Sequence, residues 1–164
     1  MKINLYRNAD KIIGSILCAV MGLWPKNPTI QTPKKILVTK LWAIGESILT
    51  LPMIEAIKNN NPDAEITVLA RTRNKAVYEG HPFITNILLF EPVNVLQLAK
   101  KFKKFDVAID CEPYLNISAL ADRWLARKQI GFSHGMRAKL YDKKTKYNDK
   151  QHVVTTYLDL GKLI

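Results

Sequence analysis

Lys34-Lys-Ile-Leu-Val-Thr-Lys-Leu-Trp-Ala-Ile-Gly-Glu-Ser-Ile-Leu-Thr-Leu-Pro52 is the stretch whose reading decides the fold. Residues 36–41 form an aliphatic, β-branched run, the pattern of a strand covered on both faces. A short loop, 42–47, follows with one glycine and one carboxylate. From Ile48 onward, apolar residues recur at Leu51, Ile54 and Ile57, three apart, which predicts a helix over 48–60. Pro52 near its start predicts an irregular or kinked first turn. Ligands of open α/β sheets sit outside the carboxyl ends of the strands, so Glu46 in this loop is a candidate for chemistry.

The alternation continues downstream. Strands are expected over 65–70, 84–90, 106–110 and 129–132. Helices are expected over 75–79, 95–105, 116–126 and 152–164, with Asn116 as the cap of the third and His152 opening the last. Residues 139–149 read as a polar, tyrosine-containing connection. Strand–helix alternation with short loops is the pattern of a Rossmann-like, doubly wound parallel α/β domain. Right-handed crossovers then place the strand-to-helix loops 42–47, 71–74, 91–94 and 111–116 on one edge of the sheet, where they form a contiguous site.

The chain has 164 residues, 48% hydrophobic and 24% charged, enough for one domain with a real core. Its formal net charge of +11 favours anionic partners such as phosphates or an acidic membrane surface. No recognition helix or basic-plus-aromatic motif accompanies that charge, so a nucleic-acid partner is not expected. The two cysteines, Cys18 and Cys111, lie far apart in apolar or strand-like contexts and read as buried free thiols of a reducing compartment. The histidines show no metal-ligand spacing.

Residues 1–26 stand apart from the rest. The apolar run 12–24 is too short to cross a bilayer as a helix. Asp10 interrupts the preceding basic region, and no small-x-small cleavage pattern follows, which argues against a signal peptide. Two readings stay open: an amphipathic helix lying in a membrane surface, or a helix packed on the domain. Residues 27–33, with Pro28 and Pro33, read as a linker, and 34–164 as the α/β domain.

A dinucleotide site would carry Gly-x-Gly-x-x-Gly in the first loop, and a P-loop would carry Gly-Lys-Ser/Thr. Trp42-Ala-Ile-Gly-Glu-Ser47 has neither. Gly45 lets the chain take a positive φ. Glu46 then falls near the amino end of the next helix, either as a simple helix cap or as a carboxylate able to take a proton from a hydroxyl nucleophile. Arg71-Thr-Arg73 ends the second strand; the two guanidinium groups either grip phosphate or carboxylate in the cleft or form a solvated pair. Asp110-Cys-Glu112 ends the fourth strand and reads as a loop cap or a salt bridge to a nearby lysine.

The order of these segments resembles the amino-terminal domain of the family 9 glycosyltransferases, the ADP-heptose:lipopolysaccharide heptosyltransferases. The resemblance rests on Ile36-Leu-Val-Thr-Lys-Leu-Trp-Ala-Ile-Gly-Glu-Ser-Ile-Leu-Thr-Leu-Pro-Met-Ile-Glu-Ala-Ile-Lys58, then Pro62-Asp-Ala-Glu-Ile-Thr-Val-Leu69. Glu79-Gly-His-Pro-Phe-Ile84, the strand 106–110 and Ile130-Gly-Phe132 follow in the same order, so it runs from Lys34 to the end.

The resemblance implies the acceptor half of a GT-B architecture, with inverting transfer and no essential metal or other cofactor. It implies that Glu46 takes the place of the family's catalytic aspartate, one methylene longer, a change that can misplace the carboxylate by about 1 Å. Acceptor contacts are implied for Lys40, Trp42, Ala43, Ile44 and Gly45, and for Arg71 and Arg73. The implied acceptor is a glycolipid of lipopolysaccharide core synthesis bearing carboxylates and phosphates. The implied donor is a nucleotide-sugar, ADP-heptose, bound by a second domain that these residues do not include. Such a protein is expected to work peripherally on the inner face of the cytoplasmic membrane, with residues 1–26 as the contact.

Overall fold

The computed structural model describes residues 8, 10–23, 32–91 and 105–164. Most of the 27–33 linker and nearly all of the 95–105 helix expected from the sequence lie outside the described residues. Six parallel strands form one sheet: β1 (Lys35–Thr39), β2 (Glu65–Ala70), β3 (Asn86–Leu89), β4 (Phe105–Asp110), β5 (Ala126–Phe132) and β6 (Lys143–Thr145). Their order is β3-β2-β1-β4-β5-β6, the doubly wound Rossmann order. The order in which strands are added reverses between β1 and β4, whose parallel register pairs Thr39 with Asp110. That reversal opens the crevice in which such sheets bind ligands.

Among the described residues five α-helices accompany the sheet: α1 (Ser15–Met21), α2 (Ile44–Ile48), α3 (Leu51–Asn60), α4 (Asn116–Leu125) and α5 (Val153–Gly161). Alternation along β1 sends Ile36 and Val38 to one face and Leu37 to the other. The first face packs on Met53, Ile54 and Ile57 of α3 and on Tyr157 and Leu160 of α5. The second packs on Ala121 and Leu125 of α4. Both sides are covered, which is why β1, β2 and β4 read as continuous apolar runs.

The expected 42–47 loop is mostly helical, as α2, and the expected 48–60 helix begins only at Leu51. α2 ends at Ile48, and α3 restarts at Leu51 with Pro52 in its first turn, where a missing amide proton costs nothing. Lys75–Val77 is a single 3-10 turn rather than a helix over 75–79. β5 begins at Ala126, three residues before the expected 129–132 strand. The expected polar connection 139–149 contains β6, an edge strand missed because its short, charged sequence lacks apolar alternation. His152 opens α5 as expected, its Nδ1 accepting from the Val154 amide at 3.3 Å.

Asn116 is not the cap of α4; the cap comes from far away in sequence. Asp10 Oδ2 accepts from the Asn116 amide at 2.9 Å and Asp10 Oδ1 from the Ile117 amide at 2.8 Å. Asp10 opens a π-helical turn, Asp10–Gly14, that leads into α1. Burial raises its carboxyl pKa even though both amide bonds favour the charged form. Gly14 is needed here, because a Cβ at this position would meet Asn116 Cβ at 2.7 Å. Behind it, Cys18 packs with Ala119, Leu140 and Tyr141. Both cysteines are buried free thiols. The amino-terminal helix thus packs on the domain along one side, while Ile12, Ile13, Ile16, Leu17, Val20 and Leu23 stay exposed on the other.

Candidate functional site

The carboxyl end of β1 carries a buried cation. Lys40 is fully buried, and its Nζ lies 2.6 Å from Glu46 Oε2 and 3.4 Å from Glu112 Oε1. Burial alone would lower the ammonium pKa, but Glu112 and Glu46 outweigh it and the net direction is upward. Glu112 in turn is raised by burial, against the pull of Lys40. Its Oε1 also accepts from the Leu41 and Trp42 amides, each at 2.7 Å. Glu112 therefore both caps the 42–47 loop and pairs with a lysine, uniting the two readings of Asp110-Cys-Glu112.

Among the described residues no side-chain cap bond is made at the start of α2, so Glu46 is not its cap. Its carboxylate points instead to Lys40 and to Tyr157 of α5, whose hydroxyl donates to Oε2 at 3.3 Å. The Glu46 side chain is 44% exposed, so the pair has a buried cation and an accessible anion. A carboxylate held by a fixed cation and a hydroxyl, and open to solvent on one side, can accept a proton from an alcohol that docks against it.

The positive φ of this segment falls at Ala43 (φ 63°), and Gly45 does not use the freedom a glycine has. Ala43 precedes α2, where Ser47 donates its hydroxyl to the Ala43 carbonyl at 2.9 Å. Gly45 has nothing within 4 Å of where its Cβ would stand, so its bare side faces open space. Ile44 and Ile48 beside it are exposed. The loop is fixed from below by Asn74, fully buried, whose Nδ2 donates to the Lys40 carbonyl at 2.9 Å and to Ser47 Oγ at 2.8 Å.

Of the sequence-predicted residues, the fold brings together Lys40 and Glu46, and separately Trp42 and Arg73, whose guanidinium lies 5.4 Å from the indole centroid. Arg71 is turned to Glu91, 3.6 Å away. Ala43 is the residue before α2, and Ile44 and Gly45 lie in its first turn. Sequence reasoning missed Asn74 and Tyr157 altogether. No local signal marks Tyr157, which lies 111 residues from Glu46; Asn74 is an ordinary turn residue in sequence.

A second polar cluster lies beneath β1 and β4. Asp110 Oδ2 accepts from Tyr141 Oη at 2.7 Å and Ser118 Oγ at 2.8 Å. Asp122 Oδ1 accepts from Thr39 Oγ1 at 2.6 Å, while Asp122 Oδ2 is buried without a hydrogen-bond partner among the described residues. Burial first, and then Asp110, raises the Asp122 carboxyl well above the ordinary range. Arg137, also buried, donates to the carbonyls of Glu112 and Leu115. This cluster holds the loop after β4 in place.

No family model matches the chain, and no curated protein sequence does. Solved structures do share its fold. A glycosyl transferase family 9 protein from Veillonella parvula superposes with a TM-score of 0.72 at 21% identity, over 84% of this chain and 42% of that one. Heptosyltransferase WaaC of E. coli, solved with ADP, gives 0.65 at 16% identity over 79% of this chain and 46% of its own. The ADP-heptose lipopolysaccharide heptosyltransferase II of E. coli gives 0.64 at 18% identity over 78% and 40%. The chain spans less than half the length of each. It has the α/β, Rossmann-like fold of one part of the GT-B glycosyltransferases of family 9.

Proposed function

We propose that this chain is the acceptor-binding half of a heptosyltransferase-like glycosyltransferase. It binds a glycolipid acceptor of the lipopolysaccharide core. Glu46 takes the proton of the acceptor hydroxyl as that oxygen attacks the anomeric carbon of a nucleotide-sugar such as ADP-heptose. The bond to the nucleoside diphosphate breaks on the opposite face, so the anomeric configuration inverts. Lys40 and Tyr157 orient the carboxylate, and Arg73, stacked on Trp42, offers a guanidinium to an acidic group of the acceptor. The donor is bound by a second unit outside these residues. The observation that carries this reading is the Lys40–Glu46 pair at the sheet reversal, 2.6 Å apart, on a fold shared with heptosyltransferases.

The test has two parts. Calorimetric titration with a heptose-free lipopolysaccharide core oligosaccharide is expected to show binding that Arg73→Ala weakens; no binding contradicts the reading. Fusion to the donor-binding half of E. coli heptosyltransferase II is expected to give transfer from ADP-heptose that Glu46→Gln cuts about 100-fold or more. Unchanged transfer removes Glu46 as the base.

The exposed stripe along the Asp10–Gly14 turn and α1 favours a second reading, a non-catalytic module that binds a membrane surface or a glycan. Ile12, Ile16 and Val20, with Ile13 and Leu17, are spaced four apart and exposed. Among the described residues no helix is long and apolar enough to cross a membrane. A stripe of this kind on a chain of net charge +11 suits the surface of an anionic bilayer, here the inner face of the cytoplasmic membrane. Sedimentation with anionic vesicles, at low and high salt, is expected to retain the chain; its absence from the pellet in both removes the membrane contact from either reading.

A further inference from the structure

Three aromatic side chains outside the residues discussed above follow three neighbouring strands at the same edge of the sheet. Tyr114 follows β4, His134 follows β5 and Tyr147 follows β6, and these strands are adjacent in the sheet. Their rings touch: Tyr114 and His134 centroids are 5.5 Å apart, Tyr114 and Tyr147 5.9 Å, and His134 and Tyr147 5.9 Å. Phe132, fully buried, forms the floor, 5.1 Å from Tyr147 and edge-on to it. Tyr114 belongs to this cluster yet remains 70% exposed. A ring that packs on two others and still shows most of its surface to water is placed for contact with something else.

The cluster continues the row begun by Lys40 and Glu46. Parallel pairing puts the ends of β1, β4, β5 and β6 side by side, and Glu112 of the loop after β4 already touches Lys40. Tyr147 feels both members of the pair. Burial, Tyr114 and Glu46 raise its phenol, and Lys40 opposes them. His134 supplies a defined polar edge. Its Nε2 contacts the Pro113 carbonyl, which can only accept, so Nε2 carries the proton and the neutral ring leaves Nδ1 as an acceptor. Burial lowers the His134 pKa, which keeps that tautomer present at neutral pH.

We propose that Tyr114, His134 and Tyr147 form a stacking subsite for a pyranose ring of the acceptor, next to the ring whose hydroxyl meets Glu46. The face of a sugar ring presents C–H groups with slight positive charge, which complement the negative face of an aromatic ring. Its equatorial hydroxyls spread toward the rim, where the tyrosine hydroxyls and His134 Nδ1 exchange hydrogen bonds with them. No anion is needed, so the subsite reads a neutral sugar, in contrast to the Arg73 side of the loop. This rests on the acceptor-binding reading above and specifies where a second sugar of that acceptor lies.

Saturation-transfer NMR on the full chain tests it with methyl α-D-mannopyranoside as the neutral probe, sorbitol as the open-chain control and adenosine as a flat aromatic competitor. Transfer to the ring C–H protons of the pyranoside is expected, with none to sorbitol. Tyr114→Ala is expected to raise the dissociation constant about fivefold, the worth of one aromatic contact, and Tyr114→Trp to keep it. Tyr114 is exposed, so neither variant threatens folding, and an unchanged amide fingerprint confirms this. Pyranoside transfer that Tyr114→Ala leaves intact, or displacement of the pyranoside by adenosine, overturns the subsite. A core oligosaccharide that binds through Arg73 but is indifferent to Tyr114 also overturns it while sparing the acceptor reading. Tyr114-dependent pyranoside binding with no oligosaccharide binding supports the subsite and removes the acceptor reading alone.

Discussion

Lys40 and Glu112, 72 residues apart, meet at 3.4 Å in the interior, and both are buried where the loop after β1 crosses the loop after β4. This contact ties the two loops that flank the crevice. Removing the cation leaves a buried carboxylate with only the Leu41 and Trp42 amides. Lys40→Met is therefore expected to destabilise the domain by about 3 kcal/mol. Adding Glu112→Gln, which keeps the amide acceptor but drops the charge, is expected to recover at least about 1 kcal/mol. Urea denaturation of the single and double variants measures this; additive losses contradict the pairing. Glu46→Gln is expected to cost under about 1 kcal/mol, since that side chain is partly solvated.

Asp122 gives the domain an unusual response to acid. Its folded pKa is well above its ordinary 3.8, so the folded state holds this proton more tightly than the unfolded chain. Its contribution to stability is full below 3.8 and is lost as pH rises from there through the folded value. Over that window Asp122 lowers the unfolding free energy by up to about 1.4 kcal/mol per pH unit. Asp122→Asn mimics the protonated group and keeps an acceptor for Thr39. Denaturation series between pH 4 and pH 8 are expected to show a shallower fall with pH in the variant by that amount; parallel curves would argue that Asp122 is ionised in the fold.

Ala43 holds a backbone conformation that side chains rarely adopt, with φ 63° and ψ 109°. Replacing it by glycine removes the Cβ clash but adds chain entropy to the unfolded state. The net expectation for Ala43→Gly is a gain of up to about 1 kcal/mol, read as a higher denaturation midpoint at constant slope. If the strain serves to present Gly45 and Glu46, the same variant weakens acceptor binding while it stabilises the fold.

The two thiols report on α1 and on the sheet separately. Burial pushes Cys18 up to about 12 and Cys111 well above its ordinary value, so neither is a thiolate at pH 8. A disulfide-exchange reagent is expected to label neither quickly in the native protein. Cys18, held by a small cluster under α1, is expected to react first through undocking of that helix, and Cys111 only on global unfolding. Equal rates would mean that α1 and the sheet open together.

The strands and helices of the central sheet were legible because their apolar spacing is local. Glu46 stood out for the same reason: a single ionisable residue in a short loop after a buried strand. β6 was missed because three polar residues at an edge carry no such period. The split between α2 and α3 was half legible, since Pro52 marks where a helix can start but not where the previous one stops. The positive φ went to Ala43 and not to Gly45, because closure of the loop onto Asn74 and Glu112 sets the backbone there, against local preference.

By itself the sequence determined the alternation of strands and helices, the place of Glu46 just past the end of β1, and the excess of positive charge. Only the tertiary structure decided what each of these residues faces. Tyr157 reaches Glu46 across 111 residues, Asp10 caps a helix that begins 106 residues later, and three aromatic rings from separate loops meet at one edge. The physical reason is that periodicity encodes which side of an element is buried, whereas partners across the chain follow from which strand ends the sheet order sets side by side.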